Sequence, residues 1–164
     1  MFKVDQPVVH PAHGVGVIKE IRPQMVLGKE MEYYIIEFPF NDLDRIMIPT
    51  SSADTLGLRR VVSKKEIEQM LGIIGDCEGN YLDLYEDESF HKRHKEYLDR
   101  VQSGDLLEVA KVYKTLFERA RDKDLGLKEK FLMERAEKML LGELSYARKI
   151  TFEEAKEVVQ TKIN

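Results

Sequence analysis

The 164-residue sequence has no tryptophan, one cysteine and no proline after Pro49. Because Cys77 stands alone, an intramolecular disulfide and a cysteine-built zinc site are excluded, and a reducing cytoplasm is expected. No apolar run reaches the roughly 18 residues of a membrane helix, and the first ten residues lack the apolar core of a signal peptide. Neither a P-loop nor a GxGxxG string is present, so nucleotide binding has no support. A soluble protein with no membrane partner is predicted.

The composition is that of a globular protein, with 43% hydrophobic and 34% charged residues. There are 26 basic and 30 acidic residues, a net charge of −4. Taken as a whole, that balance argues against a nucleic-acid binder. The charge is segregated, however. Residues 76–89 carry six acids and no base, whereas residues 90–130 carry 11 basic and 8 acidic residues.

The two parts of the chain follow different patterns. Residues 1–62 contain all five prolines, and residues 31–38 are rich in aromatic and β-branched side chains. Four or five short strands in about 60 residues predict a small Tudor-like or SH3-like β-barrel. Residues 63–164 contain no proline and show apolar side chains at helical spacing. They predict a five-helix bundle, and the fold class is therefore α+β.

Capping patterns support the helix predictions. Ser63 and Thr151 are each followed three residues later by a glutamate, as in a capping box, and Asp105 precedes Glu108 in the same way. The five helices are predicted at residues 64–74, 90–102, 106–122, 128–146 and 152–162.

Catalysis and metal binding have no positive signal. The pairs His10/His13 and His91/His94 lack a neighbouring carboxylate or thiol in a recognised metal signature. We therefore interpret these histidines as surface or packing residues. Cys77 lies among acids, and negative neighbours disfavour the thiolate, so we expect a poor nucleophile. We expect a protein that is not an enzyme, with no cofactor, metal or small-molecule substrate.

The basic string from Phe90 to Lys95 allows two interpretations. Lys92, Arg93 and Lys95 either contact phosphates or simply cover a solvated helix face. Phe90 is either a core residue at a helix start or an exposed wedge that inserts at a base step. The residues alone leave both alternatives open.

Residues 2–21 carry a further signal, because their string FKVDQPVVHPAHGVGVIKEI resembles the opening of the CarD/CdnL family of bacterial transcription regulators. The chain departs from the family at Asp5-Gln6, where Gly-Asp is usual, and at His10, where tyrosine is usual. The resemblance continues in order through both halves, at residues 32–34, 46–49, 57–62, 103–105, 110–113 and 140–144.

This resemblance implies a polymerase-bound regulator rather than an enzyme. Residues 1–62 would form a Tudor-like domain that docks on the β subunit of RNA polymerase. Residues 63–164 would contact promoter DNA at the upstream edge of the transcription bubble and stabilise the open complex. On the polymerase side the strands would offer Ile35, Arg45, Met47 and Pro49, because an exposed strand edge can pair with a partner. The alternative is that Met47 merely points outward from a strand whose neighbours face the core.

On the DNA side, the family motif WxxRYK corresponds to Phe90–Lys95, and Phe90 replaces the tryptophan that wedges into the minor groove. Phenylalanine lacks the indole N–H and offers less stacking area, so a weaker wedge is expected. Lys92, Arg93 and Lys95 would contact adjacent phosphates, and Lys130 matches a further basic position of the family. So few contacts predict weak binding to DNA alone, strengthened by tethering to polymerase on the nucleoid.

Two other functions stay open. The missing tryptophan and the net negative charge leave room for a polymerase adaptor whose helical domain binds another protein. A metal-dependent enzyme built on the histidines is a remote third class.

Overall fold

A computed structural model describes residues 1–41, 45–76 and 90–164, with the side chain of Phe90 outside that description. The chain divides into two compact units, Met1–Val61 and Val62–Asn164, here called the sheet unit and the helical unit. Within the described residues, no helix combines the length and apolar character that crossing a membrane requires. Cys77 and most of the acidic segment 76–89 lie outside the described residues.

In the sheet unit, the part of the chain that the structure describes forms five antiparallel strands in the order β4-β3-β2-β1-β5. They are β1 (Pro7–His10), β2 (Gly14–Val26), β3 (Lys29–Glu37), β4 (Ile46–Pro49) and β5 (Arg59–Arg60). No pairing joins β4 to β5 in the described residues, so both are edge strands and the sheet is open. The α+β class is confirmed, whereas closure into a Tudor-like or SH3-like barrel is not part of the observed strand pairing. At one of these edges, β5 offers only two residues for pairing.

The core of the sheet unit follows from the alternation of side chains along its strands. Tyr34, Ile36 and Ile48 face a buried cluster, together with Val8, Ile18, Phe38, Ala53 and Leu58. Gly16 is needed where β2 crosses this cluster. A Cβ at that position would lie 2.6 Å from Ile36 Cγ2 and 2.9 Å from the Phe38 ring, closer than two carbon atoms can pack.

The described residues of the helical unit form five helices, as predicted: α1 (Lys64–Gly75), α2 (Phe90–Gln102), α3 (Leu106–Asp122), α4 (Leu127–Arg148) and α5 (Phe152–Ile163). Three of them, α1, α3 and α5, begin with the expected side-chain caps. Asp105 accepts hydrogen bonds from the Leu107 and Glu108 N–H groups, and Thr151 forms a full capping box with Glu154. These side chains satisfy N–H groups that have no partner within the helix.

Short connections set the direction of the middle helices. Residues 103–105 join α2 to α3, and residues 123–126 join α3 to α4, so the three helices run alternately up and down. The start of α2, the end of α3 and the start of α4 therefore meet at one end of the helical unit. Ion pairs described below connect the three helices at that end.

The C-terminal part of α4 holds the point where the chain enters the helical unit. The buried carboxylate of Glu143 accepts a hydrogen bond of 2.8 Å from the Val62 N–H group, 81 residues away in sequence. A buried carboxylate is costly unless it is hydrogen-bonded. Glu143 therefore fixes the first residue of the unit against its longest helix.

Candidate functional site

The strand β4 forms one edge of the sheet and pairs only with β3 in the described residues. Its side chains alternate: Ile48 is buried in the core, while Met47 is 44% exposed. The edge thus combines main-chain groups available for pairing with an adaptable apolar side chain pointing outward. A partner strand could use both.

The other three predicted contact residues of the sheet unit lie near this edge but differ in their exposure to solvent. Ile35 is directly opposite Met47 in the β3–β4 register, but it is only 3% exposed. It therefore supports Met47 rather than presenting a surface of its own. Arg45 is exposed and forms an ion pair of 3.2 Å with Glu37, and Pro49 ends β4 half-buried.

In the helical unit, α2 begins at Phe90 and places the basic string on its first turns. Lys92 and Lys95 are exposed, as phosphate contact would require. Phe90 is placed at the helix start by its backbone, while its side chain lies outside the described part of the chain. The prediction of an aromatic wedge at this position therefore stays a prediction.

Arg93 differs from its neighbours because it points into the unit. Its Nη2 atom lies 3.8 Å from Glu129 Oε1 on α4, and Arg119 Nε on α3 lies 3.3 Å from Glu129 Oε2. The side chain of Glu129 is 7% exposed and that of Arg93 is 13% exposed. Two guanidinium groups thus share one buried carboxylate, and the cluster joins three helices with a surplus of one positive charge.

Tyr97 lies one turn beyond Arg93, and its hydroxyl is close enough to the charges of Arg93, Glu129 and Arg119 to be affected by them. Burial raises the pKa of its hydroxyl, while the positive charges of Arg119 and Arg93 oppose that rise. The cluster therefore contributes a positive potential inside the unit as well as an ionic link between helices.

Lys130 follows Glu129 on α4 and is exposed. It belongs to a region that we call the basic end, consisting of residues 90–95 and 119–131. This region carries eight basic and three acidic side chains, and one of those acids is the buried Glu129. The structure thus brings the predicted DNA contacts Lys92, Lys95 and Lys130 to the same end of one compact unit.

The histidines form no metal site among the described residues, where no group of three or more potential ligands occurs. His10 and His13 instead stack at a centroid distance of 4.5 Å, and both rings pack edge-on against Phe38. His10 Nδ1 accepts a hydrogen bond from the Ala12 N–H group. Burial, and secondarily the charge of His13, lowers the pKa of His10 to about 4.

Sequence reasoning missed Glu129, although a signal was present. Counting back from Ala136 and Leu132 at helical spacing reaches residue 129, so the glutamate occupies a position on the apolar face of α4. A charged side chain on a buried face is almost always paired, so a glutamate at this position predicts a basic partner. Glu143 shows the same signal farther along the helix and finds its partner in the backbone.

Comparisons with known proteins match both units. The CarD-like/TRCF RID domain matches residues 2–62, and the CarD C-terminal domain matches residues 83–160. The chain belongs to the CarD family. It is also similar to the "Putative transcription factor YdeB" of Bacillus subtilis (strain 168), with 27% identity over 156 residues, which is 95% of this chain and 98% of the relative. A CarD-family chain of this kind is a transcription regulator that binds RNA polymerase.

Proposed function

We propose that the sheet unit docks on the β subunit of RNA polymerase and that the helical unit stabilises the open promoter complex at the upstream edge of the bubble. The observation that carries this proposal is the basic end, where Lys92, Lys95 and Lys130 are exposed on two helices fixed to each other. In a CarD-family regulator, such a surface fits the phosphates of promoter DNA. A Tudor-like curvature of the sheet unit and nucleoid association through polymerase belong to the same proposal.

Docking would use the β4 edge. Its main-chain groups pair with a strand of the polymerase, Met47 fills an apolar recess of the polymerase, and Ile35 flanks Met47 from the neighbouring strand β3. Arg45 supplies a charge contact at one end of the strand, and Pro49 gives the other end a rigid limit.

DNA contact would use the start of α2 and the start of α4. Lys92, Lys95 and Lys130 bind phosphates, and Phe90 rests against an opened base step. Arg93 has a different part in this proposal: through Glu129 it fixes α2 at the angle that presents the two lysines. With about three phosphate contacts, binding to free duplex is weak at physiological salt, and tethering to polymerase compensates.

The central experiment measures the half-life of the open complex formed by purified polymerase on a promoter, with and without the full chain. The wild type lengthens the half-life, Phe90→Ala shortens it toward the value without the protein, and Phe90→Trp restores or extends it. An unchanged half-life on adding the wild-type chain would contradict the proposed function. An unchanged half-life for Phe90→Ala alone would contradict only the wedge.

A second experiment tests docking by capture of the polymerase β subunit. We expect Met47→Glu to abolish capture, because it places a charge on an apolar contact. Leu56→Glu is the matched control, since Leu56 is similarly exposed in the sheet unit but lies outside its strands. Equal capture by both variants would show that β4 is not the docking edge.

A further inference from the structure

Two large apolar side chains are exposed on the first turns of α4, within the basic end. Leu127 is 71% exposed and Phe131 is 61% exposed. They lie four residues apart, so they are neighbours on one face of the helix. Large apolar side chains are normally covered, and a pair exposed together indicates a contact surface.

The surroundings of this pair indicate the kind of partner. Lys128 follows Leu127 and Lys130 precedes Phe131. Each lysine is therefore rotated by about 100° around the helix from its apolar neighbour, and the two lysines flank Glu129. Both lysines are exposed, whereas Glu129 is buried against Arg93 and Arg119. Between the two apolar residues, the one acid is thus already paired and the exposed charges are the two lysines, while the exposed acids Asp124 and Glu134 lie outside the pair. An anionic partner with apolar surfaces matches this pattern.

We propose that Leu127 and Phe131 form an apolar DNA contact that lies beside the phosphate contact of Lys130. The inference rests on the proposed function and extends it from α2 to α4. Nucleic acid combines phosphates with flat apolar bases and sugar faces. The lysines would contact the phosphates, and the Phe131 ring would contact the bases and sugars. Where the duplex opens, unstacked bases are available to an aromatic side chain.

The position of the pair also fits the geometry of the unit. The start of α2 and the start of α4 lie at the same end because Arg93 and Glu129 join them. DNA that lies across this end can reach Lys92 on one helix and Phe131 on the other. In a chain without tryptophan, the two phenylalanines at the starts of these helices would divide the aromatic contact between them.

Site-specific crosslinking tests the proposal on the full chain in an open complex with polymerase. The photoreactive p-benzoylphenylalanine replaces Phe131 in one variant, Lys95 in a second and Lys138 in a third. Lys138 is the matched control, because it is exposed on the same face of α4 but two turns farther from the basic end. We expect crosslinks to promoter DNA from positions 131 and 95, and none from position 138.

The outcomes separate this inference from the proposed function. If position 95 reaches DNA while position 131 reaches only polymerase, only a second copy of the chain, or nothing, the apolar contact on α4 is refuted and the proposed function stands. If neither position reaches DNA, both fail. In parallel, we expect Leu127→Ala/Phe131→Ala to shorten the open-complex half-life about fivefold. Unchanged circular dichroism would show that these exposed substitutions leave the fold intact, and an unchanged half-life in the folded variant would overturn the inference.

Discussion

The cluster of Arg93, Glu129 and Arg119 makes a quantitative prediction for Glu129→Gln. This change removes the negative charge but keeps the size of the side chain, so two guanidinium groups 3.8 and 3.3 Å from the original carboxylate lose their partner. Breaking a fully buried ion pair costs about 3–5 kcal/mol. Because the two arginine side chains are 13% and 27% exposed and keep part of their hydration, we expect a loss of about 2 kcal/mol in the free energy of unfolding.

The companion variant Arg93→Met keeps an apolar stem of similar length and leaves Glu129 paired with Arg119. Its expected cost is about 1 kcal/mol, because one charge of a partly exposed ion pair is lost while Glu129 keeps its second ionic partner. In the double variant the two losses overlap, so the total falls short of their sum by about 1 kcal/mol. Lys95→Met, on the same helix but exposed, should change stability by less than about 0.5 kcal/mol.

Urea unfolding of the full chain, followed by the helical circular dichroism signal, measures these four stabilities. The salt dependence of DNA binding by the polymerase-bound chain adds a functional readout. The slope of log K against log salt is negative, and loss of one phosphate contact makes it less steep by about 0.9. We expect this change for Lys95→Met. If the costs of Glu129→Gln and Arg93→Met are additive, the ionic link is refuted. If Glu129→Gln instead tightens DNA binding, Arg93 is a phosphate contact that Glu129 restrains.

Three further predictions concern other parts of the chain. Since the pKa of His10 is about 4 when folded and about 6.5 when unfolded, the unfolded chain takes up a proton first as pH falls. Stability should decrease between pH 6.5 and 4 by about 1 kcal/mol for this half-exposed ring, and His10→Phe should remove that part of the pH dependence of urea unfolding. Gly16→Ala should lower the unfolding free energy by about 1–3 kcal/mol, because its Cβ would overlap Ile36. Thr151→Ala should lower the free energy of unfolding by about 1 kcal/mol through loss of the α5 cap. For Gly16→Ala and for Thr151→Ala, a melting temperature equal to that of the wild type would contradict the prediction.

The elements that could be predicted from the sequence are those governed by neighbouring residues. Thr151 and Asp105 act within their own first turns, so the starts of α5 and α3 are visible as local patterns. Proline placement likewise confines strands to the first part of the chain, and Met47 between two isoleucines indicates an outward side chain by alternation alone.

What could not be predicted depends on partners distant in sequence. Arg93 and Glu129 are 36 positions apart, and an exposed and an inward arginine look the same within a basic string. Whether the sheet closes is equally non-local, because it depends on whether the two edge strands meet. Ile35 is a predicted contact residue that is nevertheless buried, because its burial depends on neighbouring strands whose register no single segment determines.

The hydrogen bond between Glu143 and Val62 has a mechanical consequence. The chain enters the helical unit at Val62, and this residue is hydrogen-bonded to Glu143, which lies in the continuously buried stretch 139–145 of α4. A pull on the connection between the units is therefore transmitted to α4 as well as to the start of α1. Separating α1 from α4 under such a force requires breaking this hydrogen bond, which ties the entry of the chain to a buried glutamate.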